Sequence, residues 1–192
     1  MRKTFERAGW HVFSTIGMDA SAVRDIVEQS GLSPGSYYNY FGTKEALFDV
    51  ILQDLMERIR AAANEARAQA DDLEPMLLLS YRAFLDLVLS IDGAAKFVEL
   101  NQHHIRSRLG SLAATVGLLA DLQIDIRRAM NGAIISDSEL AMMAAAIFAN
   151  GTEALFLAQA RASYDPAELS RFMTKLMMGG LNAWNGGPDA PS

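Results

Sequence analysis

Five prolines punctuate 192 residues, at Pro34, Pro75, Pro166, Pro188 and Pro191. They leave long tracts rich in Ala, Leu and Met with nothing to interrupt a helix. Ala, Leu and Met are strong helix formers, and no run alternates β-branched with polar residues as a half-buried strand would. The chain is therefore expected to be all-α. With 51% apolar residues it can fill a sizeable core. The absence of cysteine excludes disulfide scaffolds and thiolate metal sites.

Helix-capping residues place the helices. Phe5, Ala8, Val12 and Phe13 recur at three- and four-residue spacing in a first helix, about 3–16, which Gly17 can end in the left-handed conformation. Ser21 is the expected cap of a second helix running to Ser30, with Val23, Ile26 and Val27 inward. Gly31 makes a turn. Ser33 caps a third helix with Pro34 at its first position, running to Phe41. After Gly42, Thr43 caps a long fourth helix that continues into the Ala-rich 61–70. Helices follow at about 75–91, 94–109 and 111–131. A capping box, Ser136 with Glu139, opens one at about 137–162. Asp165-Pro166-Ala167-Glu168 opens the last, to about Trp184, and the tail 186–192 is expected to be disordered.

The longest stretch without Asp, Glu, Lys or Arg is 29–43, 15 residues containing Gly and Pro. A spanning helix needs about 20 mostly apolar residues. No transmembrane segment, no membrane partner and a cytoplasmic location are therefore expected. The N-terminus lacks a continuous apolar signal core.

The two short helices about Gly31-Leu32-Ser33 form a helix-turn-helix candidate, whose second helix would lie in the major groove. Ser33, Ser36, Tyr38 and Tyr40 offer hydroxyls, and Gly35 permits close approach. Arg24 projects from the second helix, Lys44 adds a cation at the start of the fourth, and the helix N-termini suit phosphates. A subdomain with its tyrosines packed inward would show the same spacing.

Segment 5–47 resembles the N-terminal domain of the TetR family of bacterial transcriptional regulators. The likeness rests on Phe13, Gly17, Ser21, Val23-Arg24-Asp25-Ile26, Gly31-Leu32-Ser33, Gly35-Ser36, Tyr38, Tyr40-Phe41 and Lys44-Glu45-Ala46-Leu47. It implies a helix-turn-helix domain over 1–47 and a helical effector-binding and dimerisation domain over 48–185. Ser21 would cap the second helix and touch the DNA backbone, and Arg24 would sit where some members read a base. Ser33, Pro34, Gly35, Ser36 and Tyr37 would form the exposed first turn of the recognition helix. Tyr38, Tyr40 and Lys44 would hold phosphates, with Phe41 and Leu47 in the core. Only Met1-Arg2-Lys3-Thr4 precede the first helix, so an N-terminal arm is short or the start is truncated. The recognition helix has no Arg or Lys, which leaves bidentate guanine contacts to Arg24 and part of the specificity to DNA shape.

Net charge argues the other way. With 17 Lys+Arg against 23 Asp+Glu the chain carries −6, whereas DNA-binding proteins usually carry a basic excess. Residues 1–60 hold only −1 of it, and the acid-free stretch coincides with the turn and recognition helix. A reader of this kind relies on hydroxyls and helix termini more than on bulk charge.

In the last two helices, about 137–162 and 166–184, Met142, Met143, Ile147, Phe148, Leu155, Phe156, Met173, Leu176, Met177 and Leu181 accompany small residues. A four-helix homodimer interface is expected there. Polar residues cluster near 94–109. Asn101, His103, His104 and Arg106 are the candidate effector contacts, and the Met and Leu content suits a lipophilic effector. No metal or other cofactor is expected, because Glu99 and His103 lack further ligands. The function expected is a ligand-responsive regulator, a repressor in most of the resembled family, that binds a palindromic operator as a homodimer and is released by a small molecule. The alternatives are a helical interaction module whose helix-turn-helix does not bind DNA, and an all-α bundle enzyme. The latter requires Glu-x-x-His repeats that the sequence lacks.

Overall fold

The computed structural model describes residues 1–130, 133–161 and 165–185. The expected disordered tail, 186–192, lies outside them. The described residues form ten helices. They are α1 (Arg2–Thr15), α2 (Gly17–Ala20), α3 (Val23–Ser30), α4 (Pro34–Tyr38), α5 (Lys44–Arg67), α6 (Leu73–Ser90), α7 (Ala94–Leu109), α8 (Ala113–Ala129), α9 (Asp137–Arg161) and α10 (Pro166–Asn185).

Most ends follow the capping chemistry. Gly17 and Gly31 take positive φ of 79° and 67° and terminate α1 and α3, a conformation in which a Cβ is strained. Ser33 Oγ accepts from Ser36 N at 3.2 Å and Thr43 Oγ1 from Ala46 N at 3.1 Å. The Ser136–Glu139 box is reciprocal, at 2.7 and 3.3 Å. One element is new, the single turn α2, which is too short to show a period. One is shorter than expected. α4 ends at Tyr38, and Asn39 and Tyr40 form a turn.

The chain divides into two compact units. The first comprises 1–60 with 88–117, the second 61–87 with the described residues from 118 to 185. The first unit is built on aromatic packing. Phe5 meets Tyr37 edge-on at 5.2 Å, Phe13 meets Phe48 at 5.3 Å, and Phe97 stacks on Trp10 at 4.5 Å and on Phe48 at 5.4 Å. A Cβ on Gly9 would lie 2.7 Å from Leu47 Cδ2, so glycine lets α1 press on α5.

In the second unit Tyr81 Oη donates to Ile147 O at 3.1 Å, tying α6 to α9. Arg67, wholly buried, meets Asp125 at 2.6 Å and also bonds Asn64 and Ser80. Asn64 in turn reaches Asp121 at 2.7 Å. By length and composition, 137–158 of α9 could cross a bilayer, with mean hydropathy 1.6. This departs from the expectation of no such segment. Counting charge-free residues missed it because Glu153 interrupts the apolar run. Leu140, Met143, Ala144, Ile147, Leu155 and Phe156 of this helix are nonetheless buried within the unit, as in a core helix.

Candidate nucleic-acid interface

The helix pair α3–α4 is presented by what lies beneath it. Ile26 and Val27 bury the inner face of α3, and Tyr37 is the inner residue of α4, 0% exposed. Its ring sits among Phe5, Phe41 and Tyr38, and its hydroxyl donates to Thr43 O at 3.0 Å. Burial pushes this phenol up to about 12, with smaller contributions from Tyr38 and Glu45. The expectation that Tyr37 stands exposed on the first turn is thus corrected. It anchors α4 and the loop before α5, and adjacent Tyr38 takes the outer position because neighbouring residues on a helix face different ways.

The outer surface holds the other candidates. Tyr38 is 59% and Tyr40 45% exposed, with their rings 5.6 Å from Tyr37 and 6.4 Å from Phe5. Ser33 is exposed and Ser36 half-buried, their hydroxyls 2.9 Å apart. Pro34 and Gly35 are exposed at the start of α4, and a Cβ on Gly35 would meet nothing within 4 Å, so the fold does not itself require glycine there. Arg24 is 79% exposed and only loosely paired, 3.7 Å from Glu28 and 3.8 Å from Asp25. Asn39, exposed between Tyr38 and Tyr40, belongs to the same patch. Its sequence signal is its position between two candidate tyrosines.

Two expected contacts are engaged inside the protein. Ser21 is buried, and its Oγ donates to Met18 O at 2.8 Å. It does not cap α3. Ala22 is the N-cap, with Asp25 reaching back to Ala22 N at 2.7 Å. The Lys44 ammonium donates to Met18 O and Ser21 O, both at 2.7 Å. Two of its three protons are thereby taken up at the carbonyl end of α2, which corrects its role as a freely available phosphate cation.

The effector candidates on α7 separate as well. Asn101, 1% exposed, spends its whole amide inside the first unit. Oδ1 accepts from Met18 N at 2.7 Å, and Nδ2 donates to Phe13 O at 2.9 Å and Phe97 O at 2.7 Å. His104 Nε2 lies 2.7 Å from Asp19 Oδ1. This hydrogen bond, more than charge, holds the Asp19 carboxyl below the usual range. His103 and Arg106 are exposed. Asn101 and His104 are therefore internal ties, and a ligand would have to displace existing bonds to use them.

In the second unit the expected interface residues divide. Met143, Ile147, Leu155, Phe156, Met173 and Leu181 are buried within the protomer, which corrects their assignment to a dimer face. Phe148 and Met177 are half-buried. Exposed instead are Met142, Leu157, Phe172 (63%) and Leu176. A groove of about 490 Å³ between α9 and α10 is lined by Asn150, Ala154, Leu157, Phe172 and Leu176, among others. Asn150 Oδ1 is buried without a hydrogen-bond partner. Among the described residues, no cluster of three or more His, Asp or Glu is arranged to hold a metal ion.

Residues 7–51 match the family described as bacterial regulatory proteins, tetR family. The chain is 27% identical over 127 residues to the HTH-type transcriptional repressor KstR2 of Rhodococcus jostii (strain RHA1), covering 64% of this chain and 58% of that protein. It is 31% identical over 71 residues to the HTH-type transcriptional regulator BetI of Stenotrophomonas maltophilia (strain R551-3), covering 37% of this chain and 36% of that one. The matches thus span between about a third and three fifths of the length of these curated relatives. Among solved structures, the transcriptional regulator FadR from Bacillus subtilis in complex with stearoyl-CoA superposes with a TM-score of 0.78 at 19% identity, covering 94% of this chain and 99% of that one.

Proposed function

Because the chain belongs to the TetR family of bacterial transcriptional regulators, we propose that it is a ligand-responsive DNA-binding repressor. It binds a palindromic operator as a homodimer and is released by a small-molecule effector. The observation that carries this reading is the division of the three tyrosines about α4. Tyr37 is locked inward, while Tyr38 and Tyr40 are exposed, as are Ser33 and Arg24, with Ser36 half-buried. Such a surface offers hydroxyls and a guanidinium to phosphates and base edges without needing bulk positive charge.

In this reading residues 1–47 read DNA and 48–185 bind the effector and dimerise. Two half-sites about one turn apart, ~34–36 Å, require two copies of the reader. The exposed Met142, Leu157, Phe172 and Leu176 on α9 and α10 are the proposed surface for the second copy. The effector is of lipophilic, acyl-like character. Supporting this are the methionine-rich helices of the second unit and the stearoyl-CoA named with the Bacillus subtilis neighbour. Release is a population shift, so the effector must bind the DNA-competent and incompetent states with different affinity. α5 supplies residues to both compact units and is the proposed carrier of the shift.

The test is equilibrium binding to duplex DNA. Arg24→Ala and Tyr38→Phe each weaken binding while leaving the fold intact, and stearoyl-CoA lowers the affinity of the unaltered protein. If neither substitution changes affinity for any DNA, the regulator loses its reading surface.

A further inference from the structure

α2 is four residues long and cannot sustain itself, since a single helical turn orders more backbone than its hydrogen bonds repay. It nevertheless sits directly before α3, so its position sets where the helix-turn-helix begins. Its groups are taken from outside. Met18 N, a first-turn donor with no partner inside its own helix, is held by Asn101 Oδ1 at 2.7 Å. Phe13 O, among the last carbonyls of α1 and equally orphaned, receives Asn101 Nδ2 at 2.9 Å. A single buried amide thus joins the end of one helix to the start of the next.

α7 is shaped for this. Its backbone leaves helical geometry at Asn101, with φ −121° and ψ 17°. Opposite, Gly17 takes φ +79°, and a Cβ there would lie 3.4 Å from Leu100 Cβ and Leu100 O. The break in α7 therefore faces the break between α1 and α2. One turn further along, His104 Nε2 meets Asp19 Oδ1 at 2.7 Å, and because a carboxylate only accepts, this nitrogen carries the proton. Arg108 Nη1 lies 3.4 Å from His104 Nδ1 and so supports that tautomer, and Arg108 Nε bonds Asp49 of α5 at 2.5 Å.

We propose that Asn101 and His104 are positioning residues, a two-point clasp by which α7 sets the placement of α2 and hence of the DNA-reading pair α3–α4. Neither side chain touches DNA; both act through Met18, Asp19 and the start of α3. The inference rests on the DNA-binding reading for its consequence, but its geometry is testable without DNA.

The experiment uses the full chain in two arms. In the free protein, Asn101→Ala accelerates amide exchange at Met18 and Asp25 by at least tenfold, while amides inside α5 keep their protection. On duplex DNA enriched from a random pool, Asn101→Ala lowers affinity about tenfold or more. Ile126→Val, a buried destabilising change in α8 of the second unit, leaves affinity unchanged. His104→Leu lowers affinity at least threefold, and His104→Gln, whose amide can still donate to Asp19, restores it. The His104 pair decides the matter if Asn101→Ala does not fold. Unchanged exchange at Met18 in Asn101→Ala overturns the clasp. So does unchanged affinity in both Asn101→Ala and His104→Leu. If the unaltered protein binds no DNA, the functional reading fails, while the exchange arm still judges the clasp.

Discussion

Tyr37→Phe removes one hydroxyl from the centre of the helix-turn-helix unit and nothing else. The ring keeps its packing on Phe5, Phe41 and Tyr38, at centroid distances of 5.2, 5.7 and 5.6 Å. The bond from Oη to Thr43 O at 3.0 Å is lost, but that carbonyl keeps Leu47 N at 3.4 Å, so it is not wholly orphaned. A net loss of about 1 kcal/mol follows, within the usual range for one intramolecular hydrogen bond. Truncation to Ala would instead open a cavity, at about 3–5 kcal/mol.

The substitution has a pH signature as well. Burial raises the Tyr37 phenol in the folded chain from 10.0 to about 12, so on raising pH the unfolded chain ionises first. The stability this phenol contributes is complete below pH 10 and is lost between pH 10 and about 12. Tyr81, raised further by burial in the second unit, adds a separate alkaline loss that remains in the variant. Urea denaturation at pH 7 and pH 11, followed by a probe in the first unit, reads both effects. At pH 7 the variant is less stable by about 1 kcal/mol, at pH 11 the gap narrows, and DNA affinity changes far less than for Tyr38→Phe. A loss above about 3 kcal/mol, or a fall in DNA affinity matching that of Tyr38→Phe, refutes the assignment of Tyr37 to the core and Tyr38 to the surface.

Three further outcomes follow from the same contacts. Lys44 is tied to two carbonyls, so few cations per protomer remain for phosphates. A plot of log affinity against log salt should be shallower than about −9, the slope for roughly ten phosphate contacts per dimer, and a steeper slope contradicts the hydroxyl-based reading. Arg67→Ala removes the 2.6 Å partner of Asp125 and leaves it the longer contact to Arg128 at 3.4 Å. A loss of about 3 kcal/mol is expected in urea, and a loss below about 1 kcal/mol would show the buried network to be dispensable. Phe172→Glu alters an exposed ring, so it leaves the fold intact but turns the protein monomeric in sedimentation velocity. A dimer that survives it places the interface elsewhere.

The helix boundaries were legible because capping is local. Ser33, Thr43, Ser136 and Asp165 each bond backbone amides within three residues. What escaped was decided by contacts distant in sequence. Tyr37, Tyr38 and Tyr40 look alike in the chain, and it is the closer, edge-on packing of Phe5 of α1 on Tyr37, 5.2 Å against 6.4 Å for Tyr40, that separates core from surface. Lys44 read as a free cation because its acceptors lie 23 and 26 residues away. Asn101 read as a ligand contact because it stands in a polar tract, whereas its partners Phe13 and Met18 are 88 and 83 residues distant. On α9 and α10 composition identified the apolar residues but could not divide them between protomer core and exposed face.

The central claim is that α3 and α4 present a DNA reader in duplicate. Selection of bound sequences from a random duplex pool by the purified full chain tests it most directly. The account predicts enrichment of an inverted repeat whose half-sites lie about one helical turn apart, abolished when the pool is presented to Tyr38→Phe, Arg24→Ala. Recovery of no enriched sequence at low salt, or of a single unrepeated site, would contradict it.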